Sequence, residues 1–336
     1  MAFMLIKPLG RILTGLVVLF LLGVLWFALQ VFPVGGSGRE VIIDVTPGSS
    51  IATIAGQLHE KGVIASPFAF RIDTLIFGAP TVQSGTYELK QGSSFAAVKS
   101  ILGSYPNVRA VVVLPGLTLH EVALDVASDT SGTFGARFMS DATAAATQSP
   151  FKPDGSLEGL IGAGTYIIRP SETAGELVTA MTKSFVKEAS ASGLTPATTL
   201  NGLDAYQLIT AASIVEKEGY YPSNMPKVAR VIFNRLAQGG RLQMDSTVLY
   251  YLGKDGGAVT PAMLALNTPY NTYIQIGLTP TPICTVSSYA LNAVLHAPKG
   301  TWYYFTLVNK DGTMRFSTTW AEQLAAERLA ASRGIG

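Results

Sequence analysis

The residues best suited to acid–base chemistry are two glutamates in the segment SIVEKE, residues 213–218. This segment ends a predicted helix whose apolar stripe includes Leu208 and Val215, and Glu216 and Glu218 flank that stripe on opposite sides. A carboxyl group at the edge of an apolar stripe is partly desolvated, which favours its protonated form at neutral pH. The helical period does not choose between the two glutamates, and a solvated helix end is the alternative interpretation.

The rest of the sequence offers few other chemistries. It contains no HExxH, no CxxC pair and no GxSxG, and we expect His59, His120 and His296 to be surface or packing residues because they lie far apart. The single cysteine, Cys284, cannot form an intrachain disulfide. A net charge of +2 gives no basis for binding nucleic acid, which needs clustered lysine and arginine. Carboxylate chemistry therefore remains the leading hypothesis.

Five segments carry a family resemblance: ASIVEKE (212–218), PKVARVIFNRL (226–236), RLQMDSTVLY (241–250), PYNTY (269–273) and GLTPTPI (277–283). Together they resemble the endolytic murein transglycosylase family of the MltG (YceG-like) type. The match is specific because the motifs are long and keep the family's order. With SLEG (156–159) and an N-terminal anchor included, the resemblance extends over nearly the whole chain.

The resemblance assigns the catalytic role to Glu216 and makes Glu218 a neighbour in the site. Other family positions, expected to line or brace a glycan cleft, fall on Asn234, Arg235, Gln243, Asp245, Thr247, Asn271, Thr272 and Tyr273. For Asp245, a helix cap is an equal alternative. The chain departs from the family where Ser246 replaces the usual proline, and where LIGAGTY (160–166) replaces a YLFPDTY-like stretch and so lacks its Pro-Asp pair.

The family chemistry implies a lytic reaction. A hydrolytic glycosidase needs two carboxylates, whereas a lytic transglycosylase needs one. That group first protonates the oxygen leaving from the MurNAc-GlcNAc linkage and then takes the proton of the MurNAc C6 hydroxyl as a 1,6-anhydro ring closes. The resemblance implies no metal and no organic cofactor. The implied substrate is the peptidoglycan glycan strand, whose elongation the enzyme would terminate close to peptidoglycan synthases.

Two alternatives belong to other classes of protein. One is a non-catalytic, membrane-anchored protein whose repeats bind peptidoglycan. The other is a membrane-anchored thiol transpeptidase that uses Cys284 with His120 and Arg315, although the sequence has no Cys-His motif. Loss of cleavage on changing the catalytic glutamate alone would exclude the first, and activity insensitive to alkylation would exclude the second.

Two similar segments precede the motif-rich region. VIIDV (41–45) predicts a strand, and the residues after Pro47-Gly48 have the apolar spacing of a helix. The same pattern returns 68 residues later at Pro115-Gly116. Residues 41–102 and 109–181 therefore predict two strand-helix-strand-helix units, LysM-like by the family resemblance. The stretch 128–149 is expected to be an insertion, as a loop or a weakly ordered helix.

Residues 183–336 predict a mostly helical catalytic domain that ends in strands. Helices are expected over 203–218, from Pro226 to the Gly239-Gly240 pair, over 245–251 and over 320–332. Segments 302–308 and 314–318 flank a turn sequence, NKDG, and predict a hairpin.

The N-terminus predicts a membrane anchor. Residues 12–32 are apolar and uncharged, and they are long enough to span a hydrocarbon core of about 30 Å. Lys7 and Arg11 precede them, so the positive-inside rule keeps residues 1–11 in the cytoplasm and puts the rest outside the bacterial inner (plasma) membrane. A cleaved signal peptide is the alternative, but its apolar region is usually only about 7 to 15 residues long.

The predicted class is therefore α+β: a single transmembrane helix, a linker at 33–40, two small LysM-like repeat units at 41–182, and a mostly helical domain at 183–336 with a terminal β-hairpin.

Overall fold

The computed structural model describes residues 6–32, 38–129, 132–151, 155–219 and 221–335. About half of the chain is helical, and the described strands pair as small two-stranded sheets. Two compact units are formed. The first consists of residues 1–109 with 167–171, and the second of residues 110–166 with 172–336.

Helix α1 (Ile6–Val31) contains the predicted membrane segment. Among the described residues, one helix is long and apolar enough to cross a membrane: α1, over Ile12–Val31. Its side chains from Ile12 onward are exposed, except that Phe27, Gln30 and Val31 are half-buried on one face. Residues 1–5 of the predicted cytoplasmic tail and 33–37 of the predicted linker lie outside the described residues.

The rest of the first unit is built from β1 (Glu40–Val45), α2 (Ile51–Glu60), α3 (Pro67–Phe77), β2 (Gly85–Lys90) and α4 (Phe95–Leu102). Strands β1 and β2 pair antiparallel, with Glu40 opposite Lys90. The hydroxyls of Ser50, Ser66 and Ser94 cap the N-termini of the three helices. Helix α3 was not predicted from the sequence.

The next elements repeat this order: β3 (Arg109–Val113), α5 (Leu119–Asp129), α6 (Gly132–Ala146), β4 (Gly164–Ile168) and α7 (Ala174–Ala191). Strands β3 and β4 pair with each other. Of the two forms expected for residues 128–149, a loop and a helix, the structure has the helix, α6. The expectation that this stretch is an insertion was wrong, because α6 occupies the position in this copy that α3 has in the first. The likeness of these repeats to LysM stays a prediction.

The remaining elements are α8 (Ala205–Glu218), α9 (Met225–Ala237), α10 (Asp245–Tyr251), α11 (Pro261–Leu264), α12 (Ser288–Leu295), β5 (Tyr304–Leu307), β6 (Met314–Ser317) and α13 (Trp320–Ser332). Strands β5 and β6 form the predicted hairpin. The predicted bounds of α13 match the structure, and α10 ends at the predicted residue, Tyr251. The N-cap of α10 is Met244, however, and not Asp245. Helices α11 and α12 were not predicted.

Helix α8 is the central helix of the second unit. It packs against α9, α10 and α12, and every residue from Leu208 to Val215 is buried. Helix α7 packs against both α6 and α12. The compact units therefore do not separate at the predicted boundary at residue 183, because the helices of the second repeat share a core with the C-terminal helices.

Candidate active site

A cavity of about 520 Å³ in the second unit collects several ionisable side chains. Its walls come from the N-terminal end of α5, the C-terminal end of α8, helix α10 and the turn that follows α10. The ionisable residues in its lining are His120, Glu121, Glu158, Lys217, Glu218, Asp245, Lys254 and Asp255. Its volume falls within the range of about 300 to 1,000 Å³ that is usual for ligand sites.

Glu218 is the last residue of α8 and contributes its side chain to this cavity. Its Oε1 accepts hydrogen bonds from the backbone N–H of Ser246 at 3.2 Å and from the Ser246 hydroxyl at 2.6 Å. Burial of the carboxyl raises the pKa of Glu218 above its ordinary value. The two bonds from Ser246 oppose that rise, whereas the charge of Asp245 adds to it.

Glu216 has different surroundings and is not among the residues that line this cavity. Its Oε2 accepts hydrogen bonds from the backbone N–H of Ser287 at 2.8 Å and from the Ser287 hydroxyl at 2.6 Å. Ser287 is the N-cap of α12, so Glu216 lies against the positive end of that helix. These contacts tie α8 to α12.

The two glutamates separate because they are two residues apart on one helix, which turns their side chains by about 200° relative to each other. With α8 buried on all sides up to Val215, each carboxyl meets a different neighbouring element. Glu216 meets the start of α12, and Glu218 meets the start of α10.

Glu158 supplies a second buried carboxyl to the cavity. Its Oε1 accepts a hydrogen bond from the backbone N–H of Leu119 at 3.0 Å, and its Oε2 accepts one from the Tyr250 hydroxyl at 3.1 Å. Burial raises the pKa of Glu158 to about 7, although these hydrogen bonds oppose the rise. The sequence showed this residue only as part of the SLEG segment, with no signal that it would be buried beside α5.

Lys217 lies between the two glutamates in sequence and also lines the cavity. Its Nζ forms an ion pair with Asp255 in the turn after α10, and it donates to the carbonyl oxygen of Gly116 at 3.2 Å. It therefore brings positive charge to the cavity lining.

Of the site residues predicted from the family resemblance, Glu218 and Asp245 line the cavity. Asp245 does not cap a helix, because α10 has no side-chain cap bond. Instead, Asp245 Oδ1 accepts a hydrogen bond from the Tyr273 hydroxyl at 2.6 Å. Burial and this bond raise the pKa of Tyr273, so its hydroxyl stays protonated and keeps the Asp245 side chain in place.

Three predicted cleft residues are buried: Thr247 and Thr272 brace the loop before α10, and Asn271 braces the C-terminal end of α11. The Thr247 hydroxyl donates to the Met244 carbonyl oxygen at 2.8 Å and lies 2.9 Å from the Thr272 hydroxyl. The Thr272 hydroxyl in turn accepts from the Met244 N–H at 3.0 Å. Asn271 donates to the carbonyl oxygens of Leu264 and Leu266. None of the three lines the cavity.

The other predicted residues also lie outside the lining of this cavity. Asn234 donates to the carbonyl oxygens of Gly300 and Trp302. Arg235 donates to those of Leu242 and Tyr303, and burial lowers the pKa of its guanidinium. The exposed residue Gln243 has a positive φ of 51°, and its backbone N–H donates to the Thr272 carbonyl oxygen at 3.0 Å. These residues brace the segment before β5 and the loop before α10.

The structure disfavours thiol chemistry. Cys284 is fully buried, its thiol donates to the Ser213 carbonyl oxygen, and burial raises the pKa of the thiol well above its ordinary value. A nucleophilic cysteine needs the opposite, an accessible thiolate. Within the part of the chain that the structure describes, no three histidine, cysteine, aspartate or glutamate side chains form a group able to hold a metal ion.

Comparison with known proteins gives consistent matches over most of the chain. The YceG-like family matches residues 43–328. An endolytic murein transglycosylase of Bacillus subtilis is 29% identical over 309 residues, covering 87% of this chain and 85% of that protein. One from Streptococcus pneumoniae serotype 2 is 25% identical and covers 84% of this chain but only 56% of its own length.

The fold also resembles a solved structure. The crystal structure of a putative YceG-like protein from Listeria monocytogenes matches with a TM-score of 0.56 and 25% identity. The match covers 86% of this chain and 99% of that one.

Proposed function

This chain belongs to the YceG-like family, and from that premise we propose that it is an endolytic murein transglycosylase that cleaves the MurNAc-GlcNAc linkage of peptidoglycan strands. We propose further that Glu218, rather than the Glu216 that the sequence resemblance favoured, is its acid/base residue. The observation that carries this assignment is the position of the Glu218 carboxyl in a cavity of ligand size, where burial raises its pKa.

The raised pKa suits the first step of the reaction. A raised pKa extends to higher pH the range in which the Glu218 carboxyl holds the proton that it donates to the glycosidic oxygen as the bond to MurNAc C1 breaks. Glu216 is less suited to this role, because it does not line the cavity and its carboxyl instead contacts Ser287 at the start of α12.

In the second step, the Glu218 carboxylate takes the proton from the MurNAc C6 hydroxyl while O6 forms a bond to C1. The products are a strand with a 1,6-anhydro end and a strand with a free GlcNAc 4-hydroxyl, and no water is consumed. Ser246 supports this step because its two hydrogen bonds stabilise the carboxylate form of Glu218. This proton transfer returns Glu218 to the protonated form that begins the next cycle.

We also propose that α1 anchors the protein in the plasma membrane, with its N-terminus in the cytoplasm and the cavity outside. The uncharged segment Ile12–Val31 has the required length, and Lys7 and Arg11 precede it. Cleavage there acts on glycan strands close to the membrane and terminates their elongation, near the peptidoglycan synthases.

The test compares Glu218→Gln with its matched control, Glu216→Gln, in the full-length protein. Each variant is incubated with uncrosslinked glycan strands, and the new ends are identified by mass spectrometry. We expect the wild type to give anhydro ends. Glu218→Gln should lower the rate about a hundredfold or more, as loss of general acid catalysis does. Glu216→Gln should retain cleavage.

Four outcomes would contradict these assignments. Reducing ends in place of anhydro ends would exclude the lytic reaction. A reversed pattern, with only Glu216→Gln inactive, would return the acid role to Glu216. Full activity of both variants would mean that the cavity is not the catalytic site. An absence of cleavage by folded wild-type protein would favour the alternative, a non-catalytic peptidoglycan-binding protein.

A further inference from the structure

Helix α3 has apolar side chains on two faces, only one of which is packed. Ala69 and Phe70 belong to the core of the first unit. On the other side, Phe68, Leu75 and Ile76 are 63%, 84% and 64% exposed. Their spacing of i, i+7 and i+8 places them in one stripe along the helix, which we call the outer stripe of α3.

Water is an unfavourable environment for such a stripe. Single exposed apolar residues are normal on soluble proteins, but a contiguous apolar stripe on a well-formed helix marks a surface that another phase or molecule covers. The helix is also well defined, since Ser66 caps it and Pro67 occupies its first turn. The exposed apolar groups are therefore displayed by an ordered element.

The position of α3 next to α1 indicates what covers the outer stripe. Helices α1 and α3 pack against each other, and Phe27 and Val31 of α1 contact the core that contains Phe70. Phe27 precedes Val31, the end of the apolar span, by four residues, or about 6 Å along the helix. Helix α3 thus lies beside the outermost part of the span, and interfacial helices bury their apolar face about 5 to 10 Å deep.

We propose that α3 is a second membrane contact, with its outer stripe in the outer leaflet of the bilayer beside α1. Arg71, which is exposed at the border of the stripe, then reaches the phosphate groups of the lipids with its guanidinium. With both α1 and α3 in contact with the membrane, the first unit is restrained from rotating about the axis of α1. Helix α1 alone would not restrain this rotation. This inference rests on the proposed anchoring role of α1.

The test places a fluorescent label at single introduced cysteines in the full-length protein, reconstituted in phosphatidylcholine vesicles that contain a spin-labelled lipid quencher. The native Cys284 is fully buried, and labelling of the unchanged protein gives the background. Ile76→Cys reports on the outer stripe, Leu19→Cys on the predicted span, and Ala52→Cys on an exposed position of α2 in the same unit.

We expect the label at position 76 to be quenched nearly as strongly as the label at position 19, and the label at position 52 to be quenched little. A label at 76 that behaves like the label at 52, while 19 is quenched, would overturn the α3 contact and leave the anchor intact. If 19 is not quenched, the anchor fails and the α3 contact fails with it. The label at position 76 could also be shielded from the quencher and become more strongly quenched when the protein is diluted into more lipid of the same composition. That result would identify a second copy as the covering partner, which also overturns the proposal.

Discussion

Replacing the buried carboxyl of Glu158 by an amide should change how the stability of the second unit depends on pH. Folding raises the pKa of this group from 4.5 to about 7. Between those two values the folded state binds more protons than the unfolded state, so the free energy of unfolding falls as pH rises through this window. At about 1.4 kcal/mol for each pKa unit, the full loss is about 3 kcal/mol, and it is complete once pH exceeds the folded pKa.

Glutamine is the appropriate replacement because it is neutral at every pH and nearly the same shape. Its carbonyl oxygen still accepts from the Leu119 N–H, and its amide group faces the Tyr250 hydroxyl, whose oxygen can accept a hydrogen bond. We therefore expect Glu158→Gln to match the wild type near pH 4.5. Above pH 7 it should be more stable by up to about 3 kcal/mol, because the wild type then buries a charged group that the variant lacks.

Urea unfolding of the full-length protein in detergent micelles, followed by tryptophan fluorescence at pH 5 and pH 8, measures this difference. Trp302 and Trp320 belong to the second unit and report on its unfolding. Asp125→Asn, which removes an exposed carboxyl from α5, is the matched control and should keep the wild-type pH dependence. Equal pH dependence in Glu158→Gln and the wild type would refute the reasoning.

Further predictions concern the two serines that bind the glutamates and the orientation of the chain. Ser246→Ala removes a hydrogen bond that lowers the pKa of Glu218. The alkaline limb of the pH profile of kcat should therefore move to higher pH. An unchanged limb would mean that Glu218 is not the titrating acid. Ser287→Ala removes both the N-cap of α12 and a donor to Glu216. It should lower the free energy of unfolding by about 2 to 4 kcal/mol in urea titrations while kcat changes little. Unchanged stability would contradict the structural role of the contact between Ser287 and Glu216. Alkaline phosphatase fused after Gly336 should be active, and a well-expressed but inactive fusion would reverse the topology.

Local signals in the sequence were sufficient for several elements of the fold. The bounds of α13 and the hairpin of β5 and β6 depend on capping residues, turn residues and periodicity within a few positions of each other. Helix α3 was not predicted, and α6 was not distinguished from a loop, for opposite reasons. The first, PFAFRIDTLIF, is apolar on both faces and shows no clear period, whereas the second is rich in alanine, threonine and glycine and has little apolar contrast.

For the site, local motifs in the sequence identified the family, the acidic pair at the end of α8 and the loop motifs around it. It did not determine which glutamate faces the cavity. That depends on contacts with Ser287 and Ser246, which lie 71 residues from Glu216 and 28 from Glu218. Because α8 is buried on all sides, it has no single apolar stripe from which exposure can be read. The Tyr250 hydroxyl reaches Glu158 across 92 residues, so the burial that raises this carboxyl's pKa also exists only in the tertiary structure.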